Sequence, residues 1–342
     1  MFSSAVVFAS EDVNPLDDAL VTIIMGMKSH PEDYNLENID FTQLSVGQGI
    51  SGYVYVDGEL NPVSDVYYPI FYQNKVVILA LGHYDNGELV GMQASTTGVA
   101  SLNTLLDNNN EVAIVSCDEI PYFVSSDGEW VAFYETDPNS VVNQSTLSNN
   151  LDYVQVSATQ AEEIQLPSYP VPAYDQPVKV SFPNYKQALD NSCWAAVVRG
   201  FLYKYTGRVY SEAQIYNAVN LPYVNSQGGT IYNAVDAVRN LGYTISYSIQ
   251  SSFSFSTVKS MINGGEPMFM ALQNSGGGGH AVAITGYTQY SQSTTYAGTI
   301  FIMDPWVGSL KEVLVTKNNT FTYTLSGYTP LTFWRYTRFY IS

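Results

Sequence analysis

A proline-rich stretch divides this chain. From Ile164 to Pro177 the sequence carries four prolines. Proline fixes φ and removes a backbone donor, so neither a helix nor an inner strand can run through the segment. It reads as an extended, exposed connector, the kind of segment at which chains are preferentially nicked. The charge changes sign at the same place: residues 1–175 hold 25 Asp/Glu against 2 Lys/Arg, and residues 176–342 hold 6 against 11, giving −23 and +5 within a net −18. Such an excess argues against a nucleic-acid partner for the first half and predicts that the two halves attract each other. With 342 residues there is chain enough for two cores. The expected organisation is an acidic domain over 1–163, a connector and expected cleavage region over 164–177, and a second domain over 178–342.

The first half predicts an α+β fold. Asn14-Pro15 followed by Asp17 and Asp18 is a helix start, and Leu16, Leu20, Ile23, Ile24 and Met27 give the helix over 16–28 one apolar side. Short alternating runs follow, Tyr53–Val56, Val66–Tyr72 and Val76–Leu81, with turn signals at Asp57-Gly58, Asn86-Gly87 and Asp127-Gly128. A second helix is expected over Ser101–Asp107. The sheet is expected to be antiparallel. His30 reads as solvated loop polarity before Pro31, and His83 stands alone beside a turn. The acidic residues are scattered, so no glycosidase-type carboxylate pair stands out.

The three histidines and two cysteines are too far apart for a metal-ligand cluster or a disulfide framework, so no metal and no other cofactor is expected. Cys117 ends an apolar run and reads as a small buried hydrophobe. No run of about 18 apolar residues occurs, so no membrane span is expected. Ala5–Ala9 is an apolar piece too short for a complete signal peptide, and fits the remnant of one. Abundant Tyr, with Ser, Thr, Asn and Gly between short β runs, fits an extracellular bacterial protein.

The second half holds the reactive chemistry. Gln187-Ala188-Leu189-Asp190-Asn191-Ser192-Cys193-Trp194 leads into a helix of Ala195, Ala196, Val197, Val198, Phe201 and Leu202 that Thr206-Gly207 ends. With Ser192 as the expected cap, Cys193 falls in the first turn, where unpaired backbone N–H groups and the macrodipole stabilise a thiolate. Gln187 is near enough to fold back and aim its amide at the oxygen of a substrate held on the sulfur. Trp194 is expected in the core with its N–H bonded. Helices starting at Ser211, Thr230 and Thr257 precede a run of strands, Met268–Leu272, His280–Tyr287, Thr299–Met303, Glu312–Val315, Phe321–Leu325 and Leu331–Ile341.

Gln-x5-Cys-Trp, Gly279-His280-Ala281-Val282 and Met303-Asp304-Pro305-Trp306 occur in that order. Together they resemble the papain-like cysteine proteases, most closely the secreted staphopain type and the double-glycine-type peptidases. The resemblance covers roughly the C-terminal half. It implies a helical layer packed on an antiparallel β-sheet or barrel, with Cys193 as nucleophile, His280 as base, Asp304 as its orienting partner and Gln187 as oxyanion donor. It also implies that Trp306 shields the His280–Asp304 bond and that Gly279 and Trp306 contact substrate. Asp304 stands where papain-type enzymes usually have Asn, and a full charge there holds an imidazolium more strongly.

Spacing alone allows the pair to meet. In an antiparallel hairpin the numbers of facing residues sum to a constant. Setting His280 opposite Asp304 puts Tyr287 opposite Ala297 and leaves Thr288–Thr295 as the loop. The expected activity is hydrolysis of protein or peptide substrates by a secreted proenzyme whose first half is a propeptide covering the cleft. The same Cys-His-Asp set serves transglutaminases and acyltransferases, and a relative with an idle site would be a surface-binding protein.

Overall fold

The computed structural model describes residues 14–56, 59–117, 120–133, 151–166, 177–251, 253–273, 279–290, 293, 295–323 and 332–341. The apolar start, the Asp57-Gly58 turn, connector residues 167–176, Gly276–Gly278, Leu325 and Leu331 lie outside them.

The first half begins with α1, Pro15–Ser29, whose N-terminus is built as its residues dictate: Asn14 Oδ1 accepts from Leu16 N at 3.1 Å and Pro15 occupies the first turn. Its strands are β1 (Ser45–Val46), β2 (Ile50–Val56), β3 (Glu59–Tyr72), β4 (Lys75–Asp85), β5 (Glu88–Ser95), β6 (Glu111–Cys117), β7 (Ile120–Ser125), β8 (Trp130–Ala132), β9 (Val154–Gln155) and β10 (Glu162–Glu163), with α2 (Val99–Leu106) after β5. β5 through β2 are neighbours in sequence and pair antiparallel, but β2 then pairs parallel to β6, Gly52 facing Ile114. The sheet is therefore mixed, not antiparallel throughout. The parallel step closes through α2, a crossover that hairpin signals do not announce.

The second half contains β11 (Val178–Lys179), α3 (Cys193–Thr206), α4 (Glu212–Ala218), α5 (Ile231–Asn240), β12 (Ile245–Gln250), α6 (Phe255–Asn263), β13 (Met268–Gln273), β14 (Gly279–Gln289), β15 (Tyr296–Asp304), β16 (Ser309–Thr316) and β17 (Thr332–Ile341). Its sheet runs β12-β17-β13-β14-β15-β16, antiparallel at every step, with β11 beside the end of β14. This second sheet is open rather than a barrel. Along β14, Ala281 and Ala283 pack against α3 and α5, whereas Val282 and Ile284 pack with α6 on the other face. Burial on both faces explains why these strands read as continuous apolar runs.

The hairpin register differs from expectation by two to three residues. Ala283 faces Met303 and Ile284 faces Ile302, then a bulge at Thr285 shifts the ladder so that Tyr287 faces Ile300. An inserted residue of this kind has no hydrophobic signature of its own. His280 and Asp304 share a face and meet diagonally instead of directly opposite.

The two halves form one continuous sheet. β16 pairs with β5, Glu312 facing Ala94 and Val313 facing Gln93. α1 lies across this seam, its Leu20, Ile23, Ile24 and Met27 sharing a core with Met92 and Ala94 on one side and Tyr296 and Leu314 on the other. Consecutive residues of β16 point to opposite faces, and both are buried charges. Glu312 faces α1, where its carboxylate takes bonds from Tyr34 Oη (3.2 Å) and Thr299 Oγ1 (2.5 Å) and pairs with His30 Nε2 at 3.3 Å. Lys311 faces the other way, toward Asp304. His30 is thus not solvated: it is buried against the Phe301 ring at 4.1 Å and also bonds Asp33. Burial works against its charge, yet Glu312 and Asp33 outweigh it and push the imidazole up to about 9. Lys179 also pairs with Glu32 and Asp33 across the seam at 2.8 Å, so ion pairs and a shared apolar core both join the halves.

His83 is also buried and bonds Asp65 at 3.0 Å. Cys117 is buried in a core cluster with Tyr53, Val115 and Val124.

Candidate active site

α3 starts at Cys193, and Gly207 ends it in the left-handed conformation at φ 70°. Ser192 does not cap it with its side chain. Instead Ser192 Oγ donates to Leu189 O (2.8 Å) and accepts from Leu189 N (3.0 Å), closing a tight turn that presents Cys193 at the head of the helix. Glu212 fastens the same turn from α4, its carboxylate accepting from Ala188 N at 3.2 Å. Burial raises the Glu212 carboxyl above its ordinary value, and bonds from Ser192 and Ala188 pull partly the other way.

Ala281 N donates to Cys193 Sγ at 3.4 Å, which ties the start of β14 to the head of α3. His280 Nε2 lies 2.7 Å from Asp304 Oδ1, and the Cys193 sulfur is close enough to act on the same ring. With Nε2 engaged, Nδ1 is the nitrogen left for the sulfur. Burial lowers the His280 basicity, but Asp304 and Cys193 outweigh it and push the imidazole up to about 9. A ring held this far up is protonated at neutral pH and presents a positive charge beside the sulfur.

Asp304 has no solvent exposure. Oδ1 accepts from His280 and from Trp306 N (2.9 Å); Oδ2 accepts from Tyr323 Oη (2.6 Å) and Lys311 Nζ (3.0 Å). Burial alone would raise this carboxyl; Lys311, His280 and Tyr323 outweigh it and hold it well below the usual carboxylate range. Trp306 reaches the pair through its backbone N–H. Lys311 and Tyr323 were not singled out from sequence, although Lys311 alternates with Val313 and Val315 on an inward register, which is the one available signal.

Gln187 sits differently from the sequence expectation. Its amide Nε2 donates to Leu189 O and Asp190 O, both at 2.8 Å, its backbone N–H donates to Pro305 O at 2.7 Å, and Oε1 is buried without a partner among the described residues. Both amide hydrogens are spent on the nucleophile loop. Trp194 is buried in the core as expected, its ring centre 4.9 Å from that of Tyr216. Gly229 lies so close above the indole that a Cβ there would sit 2.6 Å from Nε1.

A cleft of about 440 Å³ opens beside the sulfur, lined among others by Cys193, Trp194, Gly229, Phe269, Gly279 and His280. No described residue of the first half lines it, so those residues do not cover the cleft as expected. Among the described residues no group of His, Cys, Asp or Glu could hold a metal, and no helix is long and apolar enough to cross a membrane.

Residues 173–323 match the family described as papain-like cysteine protease AvrRpt2. The second half carries a papain-like cysteine protease domain. The match is to this superfamily and not specifically to its staphopain or double-glycine types, and it leaves the first half outside. Among solved structures, the peptidase domain of Streptococcus ComA, a bi-functional ABC transporter involved in quorum sensing, is similar at 16% identity over 48% of this chain and 98% of that chain, with a TM-score of 0.30. No curated protein matches the chain significantly.

Proposed function

We propose that the chain is a secreted bacterial cysteine endopeptidase made as a latent proenzyme. The observation that carries this is the buried His280–Asp304 pair joined to Cys193 at the head of α3. In the proposed reaction His280 Nδ1 takes the Cys193 proton, and the thiolate attacks a peptide carbonyl. The Cys193 backbone N–H, which has no carbonyl to receive it within the helix, donates to the oxyanion. His280 then returns its proton to the leaving amine, and water hydrolyses the thioester.

Latency on this reading lies in the oxyanion donor. Gln187 joins catalysis once its amide leaves the Leu189 and Asp190 carbonyls. The first half adjoins the segment that holds Gln187: Thr97 Oγ1 meets Ser309 Oγ at 3.2 Å, and Ser309 closes the turn that begins with Asp304-Pro305. Cutting within 167–176 would free the first half from the connector. Ile164 and Leu166 on one side pack in the core shared across the seam, and Val178 on the other pairs with Tyr287.

The test is incubation of full-length protein beside Cys193→Ala, with intact-mass analysis and assay on an unstructured protein, with and without a papain-type epoxide. Loss of an N-terminal piece together with gain of activity in the wild type alone supports the proposal. Continued inactivity after an outside protease has cut the connector overturns it. The spent Gln187 amide also fits an idle relative, in which Cys193 would react no faster than in denatured protein. Incorporation of a primary amine into products would mark an acyltransferase instead.

A further inference from the structure

We propose that Lys311 is a positioning residue of this site: it acts through Asp304 to fix the carboxylate and to moderate how firmly His280 holds its proton. The inference rests on the protease reading and names a residue beyond it. Lys311 is an ammonium buried in an apolar strand, and its Nζ lies 3.0 Å from Asp304 Oδ2. The groups facing it are Asp304 on β15, Tyr323, whose ring centre is 5.1 Å away, and across the seam Tyr67 on β3 and Gln93 on β5. Glu312 faces the opposite side with His30.

The arrangement is a line of alternating charge when the site is primed: Lys311 positive, Asp304 negative, His280 positive, Cys193 negative. When His280 and Cys193 are both neutral, Lys311 still neutralises Asp304, so the carboxylate is never an uncompensated buried charge. Without the lysine, the carboxylate would lean wholly on His280, raise its affinity for the proton and make it a poorer acid toward the leaving amine. Lys311 therefore supports two tasks. It holds Oδ2 so that Oδ1 stays aimed at Nε2, and it keeps the proton deliverable.

The first half has a part in this. Lys311 shares a small cavity with Tyr67, Leu79, Leu81 and Phe133, all from the first half. That half lines the apolar side of the lysine, while Asp304 holds its charge.

The test compares full-length wild type with Lys311→Gln, which keeps a neutral donor near Oδ2, and with Tyr323→Phe, which removes an uncharged donor from the same oxygen. The chain has three histidines, so 13C-labelled histidine spectra with a His280→Ala control assign the His280 titration. Inactivation by iodoacetate, an anion drawn to the imidazolium, reads the same titration through Cys193. Lys311→Gln is expected to move the His280 titration and the alkaline limb upward by on the order of one pH unit, with Tyr323→Phe moving them much less. A folded Lys311→Gln with an unmoved titration overturns the proposal. If the glutamine variant does not fold, Lys311→Met replaces it, and failure of both to fold makes Lys311 purely structural and also overturns it. Wild type whose Cys193 reacts no faster than denatured protein instead overturns the protease reading, and this inference with it.

Discussion

Replacing His30 by Gln should cost the protein stability in a way that disappears with alkali. His30 rises from 6.5 to about 9 because Glu312 and Asp33 outweigh the burial that opposes its charge. Each pKa unit corresponds to about 1.4 kcal/mol, so the protonated ring contributes about 3 kcal/mol relative to an unfolded chain with an ordinary histidine. The folded value lies above the unfolded one. The contribution is therefore complete below about pH 6.5 and is lost as pH rises through about 9. On the acid side Asp33, whose carboxyl His30 and Lys179 pull below its ordinary value against the burial that raises it, keeps its part of the pairing until that carboxyl protonates.

The assay is urea unfolding of wild type and His30→Gln at several pH values between 6 and 10. His280 titrates in the same window in both proteins and cancels in the difference. Loss of the contact with Phe301 adds a constant offset, so the informative quantity is the change with pH. The difference should shrink by about 3 kcal/mol from pH 6 to 10. A difference that stays flat would refute the buried ion pair as the source, leaving only packing.

Gly26→Ala, in the middle of α1, would normally strengthen a helix by up to about 1 kcal/mol, but here a Cβ falls on the Glu312 carboxylate, and a net loss of about 1–3 kcal/mol is expected in the same urea titration. Asp304→Ala leaves the Lys311 ammonium buried without its carboxylate; stability should fall by about 3–5 kcal/mol. Peptidase kcat/KM should fall by about 10² to 10⁴ with it, as steady-state kinetics on the matured protein would show. Gly229→Ala pushes on Trp194 in the cleft. It should raise KM for peptides by about tenfold while reaction of Cys193 with a small alkylating agent changes little.

The local features were readable where local physics decides them. Asn14, Pro15 and the paired aspartates start α1 as written, and Gly207 stops α3 in the conformation glycine permits. Gln187, Cys193, His280 and Asp304 stand out in the chain by their order and neighbours, and His280 lies beside both Asp304 and Cys193 once it is folded. What sequence left out was set by distant contacts. The bulge at Thr285 moves the hairpin register without leaving a pattern in the residues. The side chain of Gln187 answers to carbonyls of its own loop. His30, read from its neighbours, is a loop residue before a proline; its burial comes from Glu312, far along the chain.

The seam shows most clearly why a pair of halves is harder to read than either alone. Lys311-Glu312 looks like a charged break in an apolar strand, and nothing nearby offers either residue a partner. In the folded chain the two side chains pass to opposite faces of β16, one to the Asp304 network and the other to His30 under α1. A single strand thus couples the acidic half to the second half twice, by backbone pairing with β5 and by the buried Glu312–His30 pair. Because those contacts lie behind Asp304, releasing the first half would alter the surroundings of Lys311 and of the turn that holds Gln187. Control of this site from behind predicts that small thiol reagents reach Cys193 in the uncut protein at a rate close to that in the cut one, while peptide turnover differs between them. Labelling rates and kcat measured on the same two samples decide it: a cut-dependent rise in labelling as large as the rise in turnover would return the first half to the role of a plug.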